Sequence, residues 1–82
     1  MTIYKFYSQS CQPCKALTMI LAEYDIEVEP IDFESEDNVD ICDKFGVMSV
    51  PTIVVEKEDG SFDKTIGLTP IRNKIEEGGL NG

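Results

Sequence analysis

The sequence predicts an α/β fold in which helices cover both faces of a four-stranded mixed sheet. Two observations carry this prediction. Short segments rich in β-branched and aromatic residues alternate with segments of helical periodicity, and an Asp-Gly pair joins the last two strands. The predicted order is β-α-β-α-β-β-α, in one domain spanning residues 1–82. The two strand–helix–strand connections favour parallel strand pairs with right-handed crossovers.

The first strand is predicted at residues 3–7, a short run of β-forming side chains. After a polar loop, apolar residues recur at helical spacing over residues 13–24. Pro13 suits the first turn of this helix, because the N–H that proline lacks would have no intrahelical partner there. We therefore expect Cys11 at the N-terminal end of the helix and Cys14 in its first turn.

A second strand is predicted over residues 26–33. Pro30 lies within it and cannot donate a ladder hydrogen bond, so this strand is expected at an edge of the sheet. The acidic residues beside the proline also suit an edge, because charges discourage pairing with other chains. An acid-rich turn then leads into a short helix over residues 38–45, which Gly46 ends.

The third strand, "VPTIVVE" at residues 50–56, is nearly continuous in apolar residues and is expected to be central. The sequence "KEDG" predicts a hairpin turn, after which residues 61–66 return as the fourth strand. Gly67 ends that strand. A Thr-Pro pair predicts Thr69 as the N-cap of a last helix over residues 70–77. The final "GGLNG" is expected to fray.

The charge balance excludes some classes of partner. There are 7 basic and 16 acidic residues, for a net charge of −9, so a basic face for nucleic acid is not expected. No apolar run is long enough to span a membrane, and the N-terminus lacks the pattern of a signal peptide. We therefore expect a cytoplasmic monomer whose thiols are kept reduced and whose acidic surface favours solubility.

The spacing of two cysteines indicates redox chemistry. Cys11 and Cys14 are separated by two residues near a strand–helix–strand unit, which is typical of a thiol–disulfide site. The helix N-terminus and the cation of Lys15 would stabilise a thiolate at Cys11. A zinc knuckle is disfavoured, because zinc takes four ligands and the chain offers three cysteines and no histidine. An inert pair is a further alternative, and Cys42 is expected simply to be buried.

Three segments resemble the thioredoxin family in the order in which that family carries them. "KFYSQSCQPCK" resembles the active-site segment, "FGVMSVPTIVVEKEDG" resembles the stretch that holds a cis-proline, and "IGLTP" resembles the glycine loop beside the site. The resemblance covers nearly the whole chain. The family's first strand and helix are missing from this sequence, so the resemblance implies a minimal thioredoxin fold of glutaredoxin size.

The resemblance also implies roles for individual residues. Cys11 takes the place of the nucleophile and Cys14 that of the resolving cysteine, so that a mixed disulfide forms and is then released. The implied substrate-binding positions are Val50, whose backbone would pair with a substrate chain, Pro51 with a cis peptide bond, and Gly67. The implied positions that tune the thiol pKa values are Pro13, Lys15 and Lys5.

Several positions depart from the family pattern. Ser10 and Gln12 stand where thioredoxins usually have tryptophan and glycine, and Lys5 stands where they have a buried aspartate. The family's partner lysine falls near Glu29 or Pro30. We expect Lys5 and Glu29 to form a reversed version of that acid–lysine pair. The alternative is that Lys5 extends from the strand end to solvent.

The implied function is that of a protein disulfide reductase without a cofactor of its own. Electrons would come from an NADPH-dependent thioredoxin reductase or from glutathione. The single glycine of "IGLTPI" favours the reductase, because glutaredoxins usually carry Gly-Gly and an acid there. Disulfide-bearing proteins are the implied substrates, and ribonucleotide reductase is a candidate client, as for small family members. The alternatives are a glutathione-dependent glutaredoxin and a redox-silent binding module.

Overall fold

A computed structural model describes residues 1–80 of the chain. The strands are β1 (Thr2–Tyr7), β2 (Glu29–Asp32), β3 (Thr52–Glu56) and β4 (Phe62–Ile66). The helices are α1 (Gln12–Glu23), α2 (Val39–Phe45), which a 3-10 turn (Glu36–Asn38) precedes, and α3 (Leu68–Glu76). The elements follow the predicted order. None of the helices within these 80 residues is long and apolar enough to cross a bilayer.

The four strands form one mixed sheet, as predicted, and their order in it is β2-β1-β3-β4. β1 is parallel to β2, while β3 is antiparallel to both β1 and β4. The prediction of a second parallel connection is therefore wrong. The segment after β2 returns to the sheet end that it left, and β3 then runs back beside β1. As a result, the end of β1 and the start of β3 lie at the same end of the sheet.

β2 is an edge strand, as Pro30 predicted. It is shorter than expected, with four residues instead of the predicted 26–33. The reason lies at the end of α1, where the Ile26 amide donates to the Leu21 carbonyl at 3.0 Å and so continues the helix end. The segment between α1 and β2 packs its apolar side chains on the core without joining the ladder.

Helices cover both faces of the sheet, as predicted. On one face, α1 and α3 pack against β1 and β3 through a cluster of Ile3, Leu17, Leu21, Ile53, Val55, Ile71, Ile75 and Leu80. On the other face, α2 packs through a cluster of Phe6, Cys42, Phe45, Val47 and Val54. β1 and β3 are the two inner strands of the sheet, and both are buried between these layers.

Glycines lie at the end of α2 and at the start of α3. Gly46 follows α2 in a left-handed conformation, as predicted. The prediction of Thr69 as an N-cap is wrong, because α3 begins at Leu68 with Gly67 at the N-cap. Pro70 still fits in the first turn of α3, because an N–H at that position would have no partner within the helix.

The segment after α3 is ordered where fraying was expected. The Gly79 amide donates to the Lys74 carbonyl at 2.8 Å, and Leu80 is only 3% exposed in the core beside α1 and α3. The prediction of fraying is therefore wrong for residues 78–80, because burial of the leucine holds them. For residues 81 and 82 it lies outside the described part of the chain.

Candidate active site

Cys11 and Cys14 are joined by a disulfide at the N-terminal end of α1, with their Cα atoms 5.2 Å apart. Cys11 is the N-cap of the helix, with extended backbone. Its carbonyl accepts from the Lys15 amide at 3.3 Å, and its Sγ accepts from the Cys14 amide at 3.1 Å. The predicted placement of both cysteines is confirmed. The sulfur of Cys11 thus lies at the positive end of the helix, where a thiolate would be stabilised.

The two sulfurs differ in exposure. Cys11 is half-buried, whereas Cys14 is only 3% exposed. Pro13, between them, is exposed in the first turn of α1, and Lys15 is exposed just after them. A disulfide on another protein can therefore approach Cys11 more easily than Cys14.

The Val50–Pro51 peptide bond is cis, as predicted. Phe6 in β1 lies opposite Thr52 in β3, so the loop that follows β1 and the loop that precedes β3 leave the sheet at the same end. The Thr52 hydroxyl donates to the Ser49 carbonyl at 2.7 Å and fixes the approach to β3. The topology therefore brings Pro51 to the sheet end that carries the cysteines.

Gly67 is held directly against this loop. Its amide donates to the Pro51 carbonyl at 2.9 Å. Its backbone has φ 93° and ψ 151°, a region that is essentially restricted to glycine. The predicted substrate-binding positions Val50, Pro51 and Gly67 are therefore contiguous, although they lie on two different loops.

Lys5, in β1, is buried, with 9% of its surface exposed. Its Nζ donates to Thr18 Oγ1 at 2.8 Å, and the same hydroxyl donates to the Cys14 carbonyl at 3.1 Å. The Nζ also lies 5.5 Å from the centre of the Tyr7 ring. Burial lowers the pKa of Lys5. The alternative that Lys5 extends from the strand end to solvent is therefore wrong.

The expected pair between Lys5 and Glu29 is also wrong. The register places Glu29 opposite Tyr4, and it places Pro30 opposite Lys5. Because successive side chains of a strand point to opposite faces, Glu29 lies on the α2 side of the sheet and Lys5 on the α1 side. Thr18 takes the place of the expected acid. Sequence reasoning missed Thr18, although its position one helical turn after Cys14 could have indicated it.

An open groove of about 270 Å³ lies beside Cys14. Its lining residues are Tyr7, Ser8, Gln9, Cys14, Lys15 and Thr18. Tyr7 and Thr18 both contact Lys5. They line the groove together with Cys14. Cys14, the more buried cysteine of the pair, therefore contributes to the wall of this groove.

Cys42 lies apart from this site. It is 8% exposed on α2, packed in the cluster with Phe6 and Phe45 on the opposite face of the sheet. The prediction that Cys42 is buried is confirmed, and burial raises the pKa of its thiol. Within residues 1–80, no three Cys, His, Asp or Glu side chains converge on a point where they could hold a metal ion.

Comparisons with known proteins agree with this geometry. A family model described as thioredoxin matches residues 1–77. The thioredoxin of Staphylococcus haemolyticus is 33% identical over 75 residues, which cover 87% of this chain and 72% of that protein. A thioredoxin of Staphylococcus aureus strain N315 is 31% identical over 75 residues, with the same coverage of both chains.

Solved structures give the same result. The oxidised form of mitochondrial thioredoxin 3 from Saccharomyces cerevisiae matches with a TM-score of 0.68 and 29% identity, over 98% of this chain and 76% of that one. Thioredoxin 1 from Thermosipho africanus matches with a TM-score of 0.62 and 25% identity, over 94% of this chain and 92% of that one. With the sheet order, the disulfide at the start of α1 and the cis-proline, these matches establish that the chain belongs to the thioredoxin family.

Proposed function

We propose that this thiol–disulfide oxidoreductase reduces protein disulfides with Cys11 as the attacking thiol and Cys14 as the resolving thiol. The observation that carries the proposal is the hydrogen bond from the Cys14 amide to Cys11 Sγ at the helix N-cap. In the reduced protein, the same amide can donate to a Cys11 thiolate. A charge-assisted bond of this kind is stronger than one to a neutral thiol, so it favours the reactive form of the more exposed cysteine.

The reaction then proceeds in two thiol–disulfide exchanges. The Cys11 thiolate attacks one sulfur of the substrate disulfide, and the other substrate sulfur leaves as a thiolate. The Cys14 thiol loses its proton and attacks Cys11 Sγ, and the second substrate thiolate leaves. Two electrons have passed to the substrate, whose thiolates take protons from solvent. The product is the Cys11–Cys14 disulfide that the structure contains.

The substrate chain is proposed to bind along the loop before β3. Val50 offers backbone groups to an extended peptide, which would add to the sheet end as a short strand. The Gly67 amide is already used by the Pro51 carbonyl, so it supports the loop and leaves the Val50 backbone as the pairing edge. Met48, beside this loop, is highly exposed and can cover an apolar part of the substrate.

The proposed setting is the cytoplasm, with the chain as a monomer. An NADPH-dependent thioredoxin reductase is the proposed electron source, and disulfide-bearing proteins, ribonucleotide reductase among them, are the proposed clients. The single glycine at the start of α3 supports this source over glutathione. The disulfide at the helix N-terminus supports an enzyme over a redox-silent binding module.

Reduction of insulin by dithiothreitol tests this proposal. The chain should accelerate the precipitation of insulin B chains, and the Cys11→Ser variant should show only the rate of dithiothreitol alone. Cys42→Ala is the matched control, because it removes a thiol outside the site. Equal rates with and without the chain would contradict the enzyme and favour the binding module.

The same assay identifies the electron source when dithiothreitol is replaced. NADPH with thioredoxin reductase should support turnover. Turnover with glutathione and glutathione reductase alone would contradict the proposed source and identify the chain as a glutaredoxin in function.

A further inference from the structure

Within residues 1–80, Lys5 is a buried cation without a carboxylate partner. Of residues 1–80, the buried polar side chains are Lys5 and Thr52. The ion pairs found among these residues join Lys44 to Glu56, Lys57 to Asp63 and Arg72 to Glu76. A buried charge is costly unless an opposite charge or hydrogen bonds compensate for it. In the oxidised protein, the ammonium of Lys5 has the Thr18 hydroxyl as its hydrogen-bonding partner.

In the described part of the chain, the surroundings of Lys5 leave one group that can become its counter-ion during the reaction. β2 and β3 place Pro30 and Ile53 beside it. On its own strand, Tyr7 presents a ring face at 5.5 Å. Asp32, opposite Tyr7, accepts from the Glu34 amide at 3.0 Å and forms no ion pair within residues 1–80.

Two other ionisable residues line the groove with Tyr7 and Thr18, and both are on α1. Lys15 has the same sign of charge as Lys5 and is exposed. Cys14 is buried, and it lines the groove together with Tyr7 and Thr18, which both contact Lys5. When the disulfide opens and the sulfur of Cys14 ionises, its thiolate supplies the negative charge that this buried region lacks.

We propose that Lys5 is a positioning residue for Cys14, which stabilises the Cys14 thiolate during resolution of the mixed disulfide. The proposal rests on the proposed order of attack. In that step the Cys14 proton passes to solvent, its sulfur bonds to Cys11 Sγ, and the bond between Cys11 and the substrate breaks. Thr18 holds the ammonium one helical turn from Cys14, so the cation acts on this thiol without transferring a proton.

The direction of the effect follows from charge. A cation close to a thiol in a partly desolvated region favours the ionised form. Burial lowers the pKa of Lys5 in the oxidised protein, because it disfavours the charged ammonium. A nearby thiolate would offset this cost by supplying a counter-ion. Resolution should therefore occur at a lower pH than an unassisted buried thiol would allow, since burial alone disfavours a thiolate.

Stopped-flow reaction of the reduced protein with 4,4′-dithiodipyridine tests the proposal, because this uncharged disulfide releases one thiopyridone in the attack and a second in the resolution. In Lys5→Met, the pH at half-maximal rate of the second release should rise by about one unit. Near neutral pH, that release should slow about tenfold. The first release should change less than about twofold, because the hydrogen bonds of Lys5 lead through Thr18 to Cys14 and not to Cys11.

Three further variants complete the test. Lys5→Arg keeps the charge, so the pH dependence of the second release (the second phase) should stay close to that of the unmodified protein. Thr18→Val removes the hydroxyl that holds the ammonium and should shift the profile in the same direction as Lys5→Met, by a smaller amount. Lys57→Met is the matched control, because it removes an exposed lysine from the hairpin end of the sheet and should leave both phases unchanged.

The outcomes separate this proposal from the proposed function. An unchanged second-phase profile in Lys5→Met, with a normal first phase, would overturn the role of Lys5 alone. Equal slowing of both phases would also overturn it, because Lys5 would then support the fold as a whole. Absence of both phases in the unmodified protein would overturn the proposed function, and the role of Lys5 with it.

Discussion

The backbone amide of Cys14 donates a hydrogen bond to the sulfur of Cys11 across 3.1 Å. One N–H of the first helical turn is therefore directed at the Cys11 sulfur, which we propose is the attacking atom. The donor belongs to the backbone, so its position is fixed by the helix and needs no adjustment during the reaction. The local geometry of α1 thus connects the fold to the chemistry.

The first prediction concerns the thiolate of Cys11. In the reduced protein, its pKa should lie below the value of about 8.5 that is usual for a free cysteine. The rate of alkylation by iodoacetamide, followed by mass spectrometry of the Cys11 peptide, should therefore reach half its maximum at a lower pH than that of a small free thiol. A midpoint at or above that of the free thiol would contradict stabilisation by the helix N-terminus.

The second prediction concerns stability and Lys5. Burial lowers the pKa of Lys5 from 10.5 in the folded protein. Between the lowered and the ordinary pKa, the folded state binds fewer protons than the unfolded state, so stability rises with pH in that window. Below the window the cost of the buried ammonium is fully present. The Lys5→Met variant should therefore be more stable than the unmodified protein near neutral pH, with a gain that shrinks as the pH approaches 10.5.

Urea unfolding of the oxidised proteins, at neutral pH and at several values up to that limit, measures this difference. Comparison of the two proteins in the same buffer cancels the titration of other groups. Lys57→Met, which removes an exposed lysine in a surface ion pair, should show a small difference that does not depend on pH in this way. A stability difference for Lys5→Met that is constant with pH would refute the assignment of the cost to a buried charge.

The third prediction concerns Gly67. The Gly67→Ala variant should lose about 1–3 kcal/mol of unfolding free energy, because an alanine is strained at the backbone angles of this residue. It should also lower the rate of insulin reduction, because the Gly67 amide supports the Pro51 carbonyl. Gly60→Ala is a suitable control. Gly60 also has a positive φ, of 90°, but it lies in the hairpin at the other end of the sheet.

Thermal unfolding and insulin reduction, measured on both glycine variants, separate strain from support of the site. We expect a loss of stability in both and a loss of activity beyond that explained by unfolding only in Gly67→Ala. The same activity per folded molecule in the two variants would argue against a role of this hydrogen bond in the site.

The fourth prediction concerns Cys42. Its burial on α2 and the raised pKa of its thiol make it a poor nucleophile. In the folded, reduced protein it should react with iodoacetamide more slowly than Cys11 by at least about tenfold near neutral pH. Cys42→Ala should keep full reductase activity and lose about 1 kcal/mol of stability, through loss of packing. Loss of activity without loss of fold would instead assign Cys42 a redox role.

Much of the fold follows from local signals in the sequence. The alternation of strands and helices, the edge position of Pro30 and the helix start at Cys11 all depend on properties of single residues or short segments. The site residues with a distinctive chemistry, the cysteine pair and Pro51, are found for the same reason. The topology explains why they converge on one end of the sheet.

The errors concern relations between distant segments. The partner of Lys5 depends on the register of β1 against β2, and a shift of one residue moves a side chain to the other face of the sheet. The direction of β3 depends on where the segment after α2 returns to the sheet. The burial of Leu80 depends on space between α1 and α3 that appears only after they pack. No local pattern contains this information.

Trapping of the mixed disulfide tests the central claim most directly. Cys14→Ser and Cys11→Ser are each reduced, mixed with a disulfide-bearing protein such as insulin, quenched with acid and separated without reductant. We expect a covalent adduct through Cys11 in the Cys14→Ser variant, at a yield well above that in the Cys11→Ser variant. An adduct that forms chiefly through Cys14 in the Cys11→Ser variant would contradict the account, because the buried cysteine would then be the one that attacks.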